Sequence, residues 1–133
     1  MKSVFADTFH FLALLKKDDP YHRRSVELHR VRWQKIMTTD CVLLETGDAC
    51  CAPQDHDDFV ALYESLRIDP RVQIARLLPE LLERGVALFR SRPDKNWPLT
   101  DRISFVVMEE RGIGDALTAD RHFVQAGFKA LLA

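Results

Sequence analysis

Asp7, Glu45, Asp101 and Asp120 are spread along 133 residues, yet each stands beside an apolar run or at the start of a helical pattern. Asp7 closes Ser3-Val4-Phe5-Ala6, and Glu45 follows Thr38-Thr39-Asp40-Cys41-Val42-Leu43-Leu44. Asp101 follows Leu99-Thr100, and Asp120 closes Ala116-Leu117-Thr118-Ala119. A carboxylate at the end of a buried strand costs desolvation energy unless something positive offsets it. Several carboxylates at one point also repel, and a divalent cation is the usual remedy. Oxygen donors of this kind select Mg²⁺ or Mn²⁺ over zinc, and such sites commonly act on phosphate esters.

Each acid also has a plainer role open to it. Asp7 and Asp120 could cap the helices that follow them. Asp101 could complement a helix dipole, and Glu45 could be an ordinary helix residue. Thr8 is free to cap the first helix in place of Asp7. The run Val42-Leu43-Leu44 predicts a half-buried Glu45. Asp101 shares a helix face with Ser104, Phe105 and Met108. Asp48, one turn from Glu45, fits a supporting role or a solvated surface, and Asp115 fits a turn. Thr100 fits the cap of its helix. Arg121 and His122 could hold a phosphate or lie on a charged surface.

The elements that must position these acids follow from hydrophobic period and breakers. Short apolar runs predict strands at Ser3–Ala6, Lys35–Thr38, Val72–Leu77, Ala116–Thr118 and Phe128–Leu132. Helices are predicted at Phe9–Lys17, Tyr21–Gln34, Cys41–Cys51 with Thr39 or Asp40 as cap, and His56–Leu66. Further helices open at Pro79 and run over Thr100–Arg111 (closed by Gly112), with one helical turn at Arg121–Gln125. This alternation predicts an α/β sandwich with a mostly parallel sheet, in which ligands gather at the carboxyl ends of the strands. Asp7 and Asp120 lie just past such ends, and Glu45 and Asp101 lie early in helices. All four can reach one sheet edge.

Composition narrows the class. The net charge of −1 carries no global basic signature of nucleic-acid binding. The one basic block is Tyr21–Lys35, where Arg23, Arg24, Arg30, Arg32 and Lys35 face a single Glu27. It could guide RNA or be a solvated helix face. Cys41, Cys50 and Cys51 form neither a disulfide framework nor a zinc pair, and no signal peptide or membrane-length apolar run is legible. Those features predict a soluble, cytoplasmic protein of one domain, residues 1–133. Glycine-rich phosphate loops and nucleotide fingerprints are absent.

In order and spacing, three stretches resemble the PIN domain, and within it the VapC-like toxin nucleases. They are Val4-Phe5-Ala6-Asp7-Thr8, the segment Thr38 to Ala49 around Glu45, and the tail from Leu99-Thr100-Asp101 through Leu117-Thr118-Ala119-Asp120-Arg121-His122-Phe123. The resemblance implies a three-layer sandwich with four to five mostly parallel strands flanked by helices. It implies a metal-dependent endoribonuclease whose acidic site maps onto Asp7, Glu45, Asp101 and Asp120, leaving 3′-hydroxyl and 5′-phosphate ends. It also implies an RNA substrate, a small antitoxin partner and homodimerisation, with His22 structural. Two other readings of such a chain are a housekeeping nuclease and a non-catalytic binding module. Pro53 to Lys95 matches least. Its Phe59, Leu62, Tyr63 and Leu66 fit a core or, less well, a groove for the antitoxin.

Overall fold

The apolar runs are too short for helices and become strands, the central ones buried on both faces as in a parallel sheet and the edge ones only partly buried. A computed structural model describes residues 2–133. Its strands are β1 (Val4–Ala6), β2 (Ile36–Thr39), β3 (Val72–Ala75), β4 (Asp115–Leu117) and β5 (Lys129–Ala130). All pairs are parallel, in the order β3-β2-β1-β4-β5. Phe5 pairs with Met37 on one side and Ala116 on the other. The helices are α1 (Thr8–Leu15), α2 (His22–His29), α3 (Asp40–Ala49), α4 (His56–Ile68), α5 (Pro79–Ser91), α6 (Leu99–Arg111) and α7 (Arg121–Gln125). The chain steps from β1 to β2 to β3, then crosses back to β4. Right-handed crossovers place α1 to α4 on one face and α5 to α7 on the other. The direction of travel thus reverses between β1 and β4.

Several boundaries differ from the sequence expectation, each for a local reason. The second helix stops at His29 instead of Gln34. Trp33 leaves the helical path to bury its ring, and its indole N–H donates to the Leu28 carbonyl at 2.8 Å. Arg71 then covers the freed carbonyls of His29 and Val31 at 3.1 and 3.0 Å while pairing with Asp69. That burial explains why Val26, Leu28, Val31 and Trp33 trace no single stripe. Thr8 and Thr100 are helical residues, not caps. Thr39 is the cap expected for α3, accepting from the Val42 amide at 3.1 Å. Gly112, at φ 65°, closes α6 in the left-handed conformation as expected. The last strand is shorter than Phe128–Leu132, though the Leu131 and Leu132 amides still bond the carbonyls of Ala116 and Thr118. In α4, Leu66 is buried and Phe59 and Leu62 half-buried, so that face is mainly core, with Tyr63 left exposed.

Two features set the position of α6. Arg102 is 2% exposed and has no carboxylate partner among the described residues. Its guanidinium donates to four backbone carbonyls, those of Leu88, Arg92, Lys95 and Trp97, at 2.8–3.1 Å. It therefore pins the α5–α6 connection to the first turn of α6. Gly85 lets α5 approach that same turn: a Cβ there would stand 2.5 Å from Cγ1 of Ile103. Glycine-to-alanine changes within helices ordinarily stabilise by about 1 kcal/mol. Here overpacking outweighs that gain. Gly85→Ala is expected to lower unfolding free energy by about 1–3 kcal/mol in urea titration; a stabilised variant would show that α5 and α6 pack less closely.

Candidate active site

The reversal between β1 and β4 opens a crevice at the carboxyl ends of these strands, where open α/β sheets place their ligands. Asp7 follows β1 directly. Its amide still bonds the Leu117 carbonyl of β4 at 3.4 Å, and its backbone takes the extended conformation of a helix cap. Its carboxylate does not cap α1. It turns to the Thr118 hydroxyl, which donates to it at 2.9 Å. The same hydroxyl accepts from the Asp120 amide at 3.1 Å. One buried threonine thus ties the first acid to the last, 113 positions apart.

Asp120 caps α7, accepting from the His122 amide at 2.9 Å. The capping role and a site role therefore coexist. His122 Nδ1 lies 3.0 Å from the Asp101 carboxylate and 3.4 Å from that of Asp120. Two carboxylate neighbours require that Nδ1 carry the hydrogen. One donor atom each from Asp101, Asp120 and His122 fall within 4.8 Å of one another. Asp101 is buried in the first turn of α6, as its predicted helix face requires. Glu45 departs from expectation. It is exposed, because Cys41, Val42, Leu43 and Thr46 fill the inner face of α3 and leave Leu44 and Glu45 outside. Glu45 lines an open cleft of about 260 Å³ with Asp48, Leu44, Leu77, Leu82 and Thr100.

Electrostatics link all four acids. Burial, followed by the charge of Asp101, pushes the Asp7 carboxyl up to about 7; Glu45 adds to this and the Thr118 bond opposes it. Burial also pushes Asp101 up to about 6, with Asp120 and Glu45 adding and the His122 bond opposing. Carboxyls held out of water beside other carboxyls are short of positive charge. The oxygen-rich donor set fits a hard divalent cation, with one imidazole at its margin. The donors that converge are those of Asp101, Asp120 and His122, while Asp7 couples to Asp101 by charge and Glu45, on the neighbouring cleft, couples to both Asp7 and Asp101.

Other candidates fall elsewhere. Asp48 is exposed on α3. Asp115 is the first residue of β4 rather than a turn, and pairs with Lys2 at 3.1 Å at the opposite edge of the sheet. Of the basic block, Lys35 precedes the amino end of β2, and Arg23 and Arg24 share Glu27. His22 is structural, contacting the Ala13 carbonyl at 2.7 Å. Arg121 is exposed and makes no ion pair among the described residues. The sequence does not mark Thr118, and it offers His122 as a phosphate contact or as surface charge, not as a partner of Asp101. The pattern Thr118-x-Asp120-x-His122 after a strand was the available signal.

The fold and this acidic crevice define the class: residues 4–129 match the PIN domain, and the chain belongs to that family. Among characterised proteins it is similar to the 23S rRNA-specific endonuclease VapC20 of Mycobacterium tuberculosis, in strains CDC 1551 / Oshkosh and ATCC 25618 / H37Rv. Each is 27% identical over 125 residues, spanning 94% of this chain and 95% of the relative. The crystal structure of Mycobacterium tuberculosis VapC20, described as a Sarcin-Ricin loop cleaving toxin, superposes with a TM-score of 0.84. It is 26% identical, over 94% of this chain and 95% of that one.

The Asp7 carboxyl titrates higher folded than unfolded, from 3.8 to about 7. The folded state therefore binds the extra proton, and its stability from this group is full below about pH 4 and lost as pH rises through about 7. Asp7→Asn removes that loss while keeping an acceptor for Thr118. In chelator-treated protein, Asp7→Asn should match the wild type near pH 4. It should melt about 5–10 °C higher at pH 8 by differential scanning calorimetry. A difference that does not grow with pH would remove Asp7 from the buried cluster.

Proposed function

We propose that this chain is a metal-dependent endoribonuclease of the VapC toxin kind. The observation that carries the reading is the pair of buried carboxyls, Asp7 and Asp101, coupled to each other and to Glu45 and Asp120 at the β1–β4 crevice. A merely structural site would not keep so much negative charge away from water without a cation. Similarity to VapC20 supports RNA as the substrate class, and ribosomal RNA as the first substrate to test. A bound Mg²⁺ or Mn²⁺ would acidify water and stabilise charge on a phosphodiester.

The chain's own groups then have distinct tasks. Asp7, Asp101 and Asp120 hold the cation. Thr118 fixes the Asp7 carboxylate, and the Nδ1–H of His122 fixes that of Asp101, so neither rotates out of the crevice. Glu45, exposed at the mouth, orients and accepts a proton from water. A nuclease of this kind acting on ribosomal RNA would work in the cytoplasm.

The same reading includes an antitoxin. Leu44 is 68% exposed and Leu77 and Leu82 are each 40% exposed, all around the cleft that holds Glu45. An apolar segment carrying one Arg or Lys would bury those leucines and set a cation among the acids. This surface suits the antitoxin better than Phe59, Leu62 and Leu66. Homodimerisation is part of the proposal on family grounds.

Purified protein is expected to cut total cellular RNA only when Mg²⁺ or Mn²⁺ is added, leaving few defined ends by sequencing. Asp7→Asn should fold and lose cleavage by about 100-fold or more, beyond the loss typical of an outer partner. Full activity in folded Asp7→Asn would overturn the metal-nuclease reading. Co-expression tests the partner: the neighbouring gene product should co-purify and suppress toxicity, and Leu44→Asp with Leu82→Asp should release it. A chain harmless alone and purified without any partner would point to a housekeeping nuclease.

A further inference from the structure

Successive residues in the first turn of α6 serve three surroundings. Thr100 lines the apolar cleft, Asp101 faces the acids, and Arg102 faces the α5–α6 connection. On that third side lies an open recess of about 490 Å³ with no acidic residue in its lining. Its floor is aromatic and cationic. The Arg102 guanidinium sits 4.4 Å from the centroid of the Phe89 ring, yet Phe89 remains 51% exposed. Arg90 and Lys95 stand at its rim, and neither makes an ion pair among the described residues. The nearby carboxylate of Asp94 is taken by Arg92, at 3.0 Å.

The recess and the acidic crevice meet at the first turn of α6. Pro98 and Arg102 bracket Asp101 in sequence, and Trp97 donates to Gln125 of α7, the helix that begins beside Asp120. A polyanion crossing the acid cluster needs cations beside it. Here the cations come with an exposed aromatic ring backed by a guanidinium. Bases stack on such rings whatever their sequence, while phosphates pair with the rim.

We propose that this recess is a subsite for an unpaired nucleotide flanking the scissile bond, its base stacked on Phe89 and its phosphate held by Arg90 and Lys95. The assignment rests on the ribonuclease reading and extends it: it names an unpaired, not a helical, stretch of RNA as what the chain grips beside the cut.

The test measures grip and cleavage separately. Fluorescence anisotropy would follow a labelled mixed-sequence single-stranded RNA of about eight nucleotides binding to full-length Asp7→Asn protein. Adding Arg90→Ala with Lys95→Ala should weaken binding about tenfold and flatten the dependence of log K on log salt by about 0.7, the value for one neutralised phosphate of a single strand. Phe89→Ala should weaken it about tenfold with the salt slope unchanged, and Phe89→Tyr should restore it. In otherwise wild-type protein the same changes should raise KM more than they lower kcat. Lys95 Nζ lies 5.9 Å from the centroid of the buried Trp97 ring, so Arg90→Ala alone, at an exposed position, keeps the test standing if Phe89→Ala or the double variant fails to fold. Binding within twofold of the parent for the rim variant overturns the subsite. So does a parent that binds no RNA, or a loss confined to polyglutamate, which would mark a protein-docking surface. A wild type that grips RNA through these residues but cuts none in Mg²⁺ or Mn²⁺ would refute the nuclease and leave the subsite standing.

Discussion

The hydroxyl of Thr118 holds together a cluster that would otherwise come apart. It donates to Asp7 and accepts from the Asp120 amide, so that one side chain joins the ends of β1 and β4 across the sheet reversal. The Asp7 carboxyl it holds is repelled by Asp101, and burial raises the cost of both charges further. Such an arrangement survives only on a frame stiff enough to absorb the repulsion. The central strands supply it: Val4, Phe5, Ala6, Ala116 and Leu117 have no exposed surface.

The second fixed point is Arg102. A guanidinium with four carbonyl partners and no counter-ion is an expensive way to order a loop, and removing it would leave those carbonyls without donors. What it secures is the angle at which α6 enters, and with it the place of Asp101. Gly85 serves the same end from α5 by allowing close approach. Thus the acids on β1 and β4 are set by the sheet, whereas the acid on α6 is set by a buried cation and a missing side chain.

Where each group is placed by local pattern, the sequence was readable. Strand-end acids, the Thr39 cap, the Gly112 stop and the alternation that makes a parallel sheet all follow from neighbours within a few residues. Burial of Asp101 followed from the helix face it shares with Ser104, Phe105 and Met108. The exposure of Glu45 was missed because adjacency to Val42-Leu43-Leu44 says little on a helix, where each step turns about 100°. The end of α2 was missed because Trp33 finds its partner by leaving the helix, and Arg71, distant in sequence, completes that turn. Thr118 and His122 act through bonds to residues 111 and 21 positions away, which no local period can signal.

The three-way division of the α6 first turn bears on how sequences of this fold can drift in length. A residue inserted among Arg92 to Lys95 can be looped out, because Arg102 fastens carbonyls on both sides of it. A residue inserted between Trp97 and Asp101 turns the helix by about 100°. That would hand the acid's place to a neighbour, and a cation or a hydroxyl would face the crevice instead. Tolerance to insertion should therefore change abruptly within a span of a few residues, on a surface loop where gradual variation is the usual rule.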